Sequence, residues 1–98
     1  MNQLKWLPAA IEDVQRLHAF IAEKNPRAAA RAVAAILSGA EGLLTSPRLG
    51  RLMGDEDARR ELFVPFGAGA YVIRYQVEHG ETPVIIRVWH CRELRLGV

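Results

Sequence analysis

The stretches Arg59-Arg60-Glu61-Leu62-Phe63-Val64, Tyr71-Val72-Ile73-Arg74-Tyr75-Gln76-Val77 and Val84-Ile85-Ile86-Arg87-Val88-Trp89-His90-Cys91-Arg92 decide the fold of this 98-residue chain. Each is rich in β-branched and aromatic residues, and glycine-containing turns at Gly67-Ala68-Gly69 and His79-Gly80 separate them. That combination predicts three strands in an antiparallel meander. Successive side chains of a strand point to opposite faces. Strict alternation therefore sends Tyr71, Ile73, Tyr75 and Val77 to a core with Val84, Ile86 and Val88. It sends Val72, Arg74, Gln76, Arg87 and Trp89 to the other face, which reads as basic and partly aromatic. A surface of that kind is suited to an acidic partner.

Working outward, the residues before the meander read as a helical hairpin preceded by an edge strand. Gln3 to Leu7 forms the strand, ended by Pro8, which lacks the N–H a ladder needs. From Ala9 to Lys24 the apolar residues Ile11, Val14, Leu17 and Ile21 recur at helical spacing. Glu12 and Asp13 are expected in the first turn, where carboxylates favour the helix dipole. Asn25-Pro26 ends this helix and opens the next, with Asn25 as cap and Pro26 at the first helical position. The second helix spans about Pro26 to Leu44, with Ala29, Val33, Ile36, Ala40 and Leu43 on one stripe. Gly39 and Gly42 inside it mark close backbone packing or fraying. The linker from Thr45 to Asp57 is expected to be an exposed connection whose Leu49, Leu52 and Met53 tuck under the sheet. The order strand, helix, helix, strand, strand, strand predicts an α+β fold, residues 1–98 as one domain, with both helices on one sheet face.

Composition limits the chemistry. The net charge of +2 is too small to argue for nucleic acid by itself, but lysine occurs only at Lys5 and Lys24 while arginine crowds the second half. Arginine's planar fork matches carboxylate and phosphate, so the bias points to recognition. Cys91 is the only cysteine, which excludes an intramolecular disulfide and a multi-thiolate metal cluster. His18, His79 and His90 show no ligand spacing, so no metal and no cofactor is expected. The first residues lack the basic start and apolar run of a signal peptide, and no apolar stretch reads as a membrane span. The expectation is a cytoplasmic, cofactor-free protein.

The chain resembles the toxins of the ParE/RelE superfamily of type II toxin–antitoxin systems, within it the ParE branch. The residues that carry the likeness are Trp6 near the first helix and Asn25-Pro26-Arg27-Ala28-Ala29 at the hairpin. Ser46-Pro47-Arg48-Leu49-Gly50-Arg51 follows the second helix and Arg60-Glu61-Leu62 opens the second strand. Tyr71-Val72-Ile73-Arg74-Tyr75 and Val88-Trp89-His90-Cys91-Arg92 complete the set. The resemblance implies a plasmid-stabilisation type of toxin. Its ParE relatives inhibit DNA gyrase by binding and trapping it on cleaved DNA, and its RelE relatives cleave messenger RNA on the ribosome. Both are neutralised by an antitoxin, here a ParD-like one, in a hetero-oligomer.

Residue types favour the binding branch. RelE enzymes of the best-known type place an arginine directly after the tyrosine of the third strand, where this chain has Val72. They use a tyrosine in the C-terminal tail, and this chain has none after Tyr75. They also use lysines before the sheet, which are missing here. His90 with Glu81, Arg74 and Arg87 is the one grouping from which a base and a phosphate clamp can be assembled. Structural hydrogen bonding by His90 is the plainer alternative. The expected target-binding residues are Arg74, Arg87, Trp89, His90, Arg92 and Arg95, with no catalytic residue. Two alternatives stay open: a ribosome-dependent endoribonuclease with a rearranged site, and a degenerate toxin that only binds its antitoxin. Trp6 is read as a packing residue, the Asp55-Glu56-Asp57 run as a solvated loop, and Cys91 as a small hydrophobe.

Overall fold

The computed structural model describes residues 3–93. Strand β1 (Lys5–Trp6) leads into helix α1 (Pro8–Ala22), and α2 (Pro26–Thr45) returns antiparallel beside it. Then come β2 (Arg51–Leu52), β3 (Arg60–Phe66), β4 (Gly69–Glu78) and β5 (Thr82–His90). The sheet order is β1-β5-β4-β3-β2, with β1 parallel to β5 and the other neighbours antiparallel. The α+β architecture and the meander stand as expected. The addition is β2, a two-residue strand inside the linker that pairs Arg51 with Glu61 and Leu52 with Arg60.

Both helices bury an alanine-rich stripe on one sheet face. Ala10 and Leu17 of α1 and Ala32, Ile36, Ala40 and Leu43 of α2 meet Tyr71, Ile73, Tyr75, Ile85 and Val88. The Asn25 cap is present: its side-chain oxygen accepts from the Ala28 N–H, and Pro26 opens the helix. Gly39 is there because nothing larger fits, since a Cβ would lie 2.6 Å from Cγ2 of Val64. By length and composition α2 is apolar enough to cross a membrane, contrary to the expectation that no stretch is. Ala29, Ala32, Ile36, Ala40 and Leu43 of that helix are buried against the rest of the fold.

Four expectations need correction. First, α1 starts at Pro8, so Glu12 and Asp13 fall beyond its first turn, and Asp13 is buried. Its buried positions include Ala10 and Leu17, while Ile11 is exposed. Second, Leu49 and Leu52 do not tuck under the sheet; they are 61% and 55% exposed. The phenol of Tyr75 occupies the space behind the linker, donating to Pro47 O and accepting from Gly50 N, each at 2.8 Å. Arg60 binds the Gly50 carbonyl at 2.8 Å from the side. Gly50 has no room for a Cβ, which would sit 2.7 Å from the Tyr75 ring.

Third, alternation breaks in β5. Arg74 pairs with Arg87 but Tyr75 pairs with Ile85, so Ile86 is an extra residue in a β-bulge. A bulge shifts side-chain parity by one. Ile85, not Ile86, is therefore the residue fully buried in the core. Fourth, the face away from the helices is not open at its centre. Val72, Arg74 and Trp89 are buried there, at 3%, 5% and 7% exposure.

Candidate functional site

The arginines of the meander are built into the fold to different degrees. Arg74 is held across the strands by Glu61, its register partner: Nη2 donates to Oε2 at 2.9 Å. Its guanidinium carbon lies 4.8 Å from the centre of the Trp89 ring, which is within cation–π range. Among the described residues, Nε and Nη1 of this buried group have no hydrogen-bond partner.

Arg87 leaves the face that alternation gave it. The parallel strand β1 ends after pairing with Val84 and Ile85, so the margin of β5 beyond them lies against α1 instead. Asp13 supplies what a neighbouring strand would have supplied. It accepts from Val88 N at 2.9 Å and from Arg87 Nε and Nη2 at 2.7 and 3.0 Å. Burial pushes the Asp13 carboxyl up, but these three donors outweigh it and hold it below its ordinary value. The same fork, against a smaller cost of burial, raises Arg87 above its ordinary value.

His90 closes β5. Its backbone N–H donates to Glu93 Oε1 at 2.8 Å, and its Nδ1 accepts from the Arg92 N–H at 3.1 Å. The ring stands edge-on to Tyr71 with centroids 5.3 Å apart. The second Glu93 oxygen binds Arg16 Nη1 at 2.8 Å, which ties the turn after β5 to α1. Arg92 projects from this turn and is exposed. Cys91 is exposed too. Glu81, one of the groups available to a catalytic grouping, instead forms a two-pronged pair with Arg48 beyond the β4–β5 turn. That pair holds its carboxyl below the ordinary range.

Of the six residues singled out, the structure therefore brings Arg74 and Trp89 together, turns Arg87 to α1, and leaves His90 and Arg92 at one end of the sheet. Arg95 lies outside the described residues. Sequence reasoning missed Asp13 as the partner of Arg87 and missed a pocket of about 530 Å3 beside His90, between the end of α1 and the end of the sheet. The signal for that pocket was Phe20, an aromatic residue off the α1 stripe, which is 76% exposed. No group of three or more metal-ligating side chains occurs among the described residues.

A sequence model described as the ParE toxin of the type II toxin–antitoxin system parDE matches residues 4–95. This chain belongs to the ParE toxin family. The toxin is 38% identical over 86 residues to Toxin RelE1 of Caulobacter vibrioides, covering 88% of this chain and 89% of that one. It is also 38% identical to Toxin RelE3 of the same organism, over 97% of this chain and all of the relative. Its fold matches a chain of the chromosomal ParDE system from P. aeruginosa with a TM-score of 0.73 and 22% identity, covering 92% and 96% of the two chains. The type II toxin assignment and the α+β architecture agree with these matches.

Proposed function

We propose that this toxin acts by binding, with DNA gyrase as its target, and that a ParD-like antitoxin neutralises it in a cytoplasmic hetero-oligomer. The observation that carries the reading is the hydrogen bond from Arg92 N–H to His90 Nδ1. A neutral imidazole has one N–H and one lone pair, and here the lone pair at Nδ1 is already used. That bond commits Nδ1 to the backbone of its own turn, a structural role that competes with service as a base. The other groups of that constellation are also dispersed: Arg74 is stacked on Trp89 and paired with Glu61, Arg87 is forked to Asp13, and the Glu81 carboxylate is bound by Arg48. No phosphate clamp converges on His90 from them.

The target contacts are proposed at the end of the sheet, centred on the exposed Arg92, with His90 holding its turn and with Arg95 after it. Arg74, Arg87 and Trp89 support that surface from within the sheet. The names of the two Caulobacter relatives favour a second reading, a RelE-type endoribonuclease.

Expression in bacteria, with DNA breaks and messenger RNA cuts measured side by side, separates the two. Gyrase poisoning gives persistent breaks, a DNA-damage response and filaments, and His90→Gln leaves these intact. Rapid arrest of translation with transcripts cut within codons, lost in His90→Gln, selects the ribonuclease. Charge reversal at Arg92, or removal of residues 92–98, is expected to abolish toxicity.

A further inference from the structure

Helix α2 is more apolar than its packing requires. It is apolar enough to cross a membrane, yet only 28% of its most apolar stretch is buried. The buried residues Ala29, Ala32, Ile36, Ala40 and Leu43 form one stripe. The side away from that stripe carries Arg27, Ala30, Ala34, Leu37 and Glu41, all exposed, with Leu37 at 42%. These positions advance by three and four residues in alternation, the repeat along which one helix faces another. A helix face that meets only water is mostly polar and charged. Here charge is confined to Arg27 and Arg31 in the first half of the helix and Glu41 in the second. Among the described residues, none of these three enters an ion pair. Arg27 lies in the first turn, where a cation opposes the helix dipole, so the helix itself gains nothing from it.

We propose that this face joins two copies of the toxin, α2 against α2, antiparallel about a twofold axis at Ala34. Positions equally far from Ala34 then face each other across the axis. Glu41 of one copy meets Arg27 of the other, twice by symmetry, and Leu37 lies along the aliphatic stem of the opposing Arg31. A parallel pairing would instead set Arg27 on Arg27 and Glu41 on Glu41, so charge selects the antiparallel arrangement. Ala30 and Ala34 leave the helix axes room to approach to about 8 Å. The two halves of this face are complementary to each other, and a second copy of the chain presents them in reverse order. The contact draws on one helix face, less than a standard interface, so it is weak, with a dissociation constant of ~10–100 μM. It uses no residue of the proposed target surface.

The test is sedimentation velocity of the full-length, antitoxin-free chain, at concentrations from well below to well above that constant. Circular dichroism of each variant checks the fold. The wild type is expected to pass from monomer to dimer as concentration rises. Arg27→Glu and Glu41→Arg should each weaken the dimer about ten-fold, because each turns two attractive pairs into repulsive ones. The double variant Arg27→Glu/Glu41→Arg should return to within about three-fold of the wild type, the signature of a direct pair. Within one chain the two positions lie ~21 Å apart along the helix, so that recovery can come only from a second copy. Ala34→Glu places a good helix former at an exposed position, so it should keep the fold while setting like charges on the axis and abolishing association. A wild type that stays monomeric throughout overturns the proposal, as does a dimer that Ala34→Glu leaves unchanged or that the double variant fails to restore. If Ala34→Glu lowers affinity for the antitoxin and leaves self-association unchanged, the occupant is the antitoxin and the proposal fails.

Discussion

Asp13 and Arg87, seventy-four positions apart in the chain, meet in a two-pronged ion pair that fastens helix α1 to the margin of β5. The same carboxylate takes the Val88 N–H, so one buried side chain replaces a missing strand and holds a cation at once. Removing it leaves a buried N–H and a partly buried guanidinium without their acceptor. Asp13→Ala is therefore expected to cost about 2–3 kcal/mol, near the low end for a buried pair because Arg87 reaches water. Urea unfolding measures it.

The pair also sets how the fold responds to acid. The folded-state pKa of Asp13 lies below its ordinary value, with burial opposing the shift and the Arg87 and Val88 donors outweighing it. A group depressed in this way contributes stability that is complete above the unfolded pKa of about 4 and is lost as pH falls through the folded value. Asp13→Asn keeps an acceptor for Val88 but cannot ionise. Its stability should fall less steeply than the wild type below about pH 4. Identical acid limbs for the two proteins would contradict this assignment.

Tyr75 makes a second, more local prediction. Its hydroxyl bridges Pro47 O and Gly50 N and so fixes the linker between α2 and β3. Tyr75→Phe keeps the ring in the core and deletes both bonds, at about 1–3 kcal/mol for the groups left unsatisfied. The specific readout is the Gly50 amide, whose hydrogen exchange should accelerate far more than that of core amides in β4.

Gly39 tests the packing of α2 on β3. Gly39→Ala raises helix propensity but drives a methyl into Val64, whose Cγ2 would be 2.6 Å away. The clash should win, with a net loss of about 1–3 kcal/mol. Val64→Ala in the same chain should recover much of it, and a double-mutant cycle of thermal melts gives the coupling.

These residues indicate where sequence reading succeeds and where it stops. The hairpin was legible because Asn25-Pro26 carries its own local mechanism, a cap and a preset φ, and the structure contains that cap. The core face of β4 was legible because alternation holds through Tyr71, Ile73 and Tyr75. The inner residue of β5 was not, because a bulge at Ile86 is set by pairing with β4 and has no local signature. Asp13 looked like a dipole partner because its true partners lie across the fold. Two-residue strands such as β2 form where a tertiary hydroxyl and a guanidinium hold a loop beside a sheet, so propensity alone does not reveal them. The face of Arg74 and Trp89 read as open because parity reports direction, not cover.

The central claim, that the toxin acts by binding and not by cutting, is tested most directly with purified components. The wild-type chain and His90→Gln are incubated separately with gyrase, supercoiled plasmid and ATP, and in parallel with ribosomes engaged on a messenger. Both proteins are expected to accumulate gyrase-linked cleaved DNA, and neither is expected to cut the messenger. Codon-positioned RNA cleavage by the wild type that disappears in His90→Gln, with no cleaved DNA on gyrase, would contradict it.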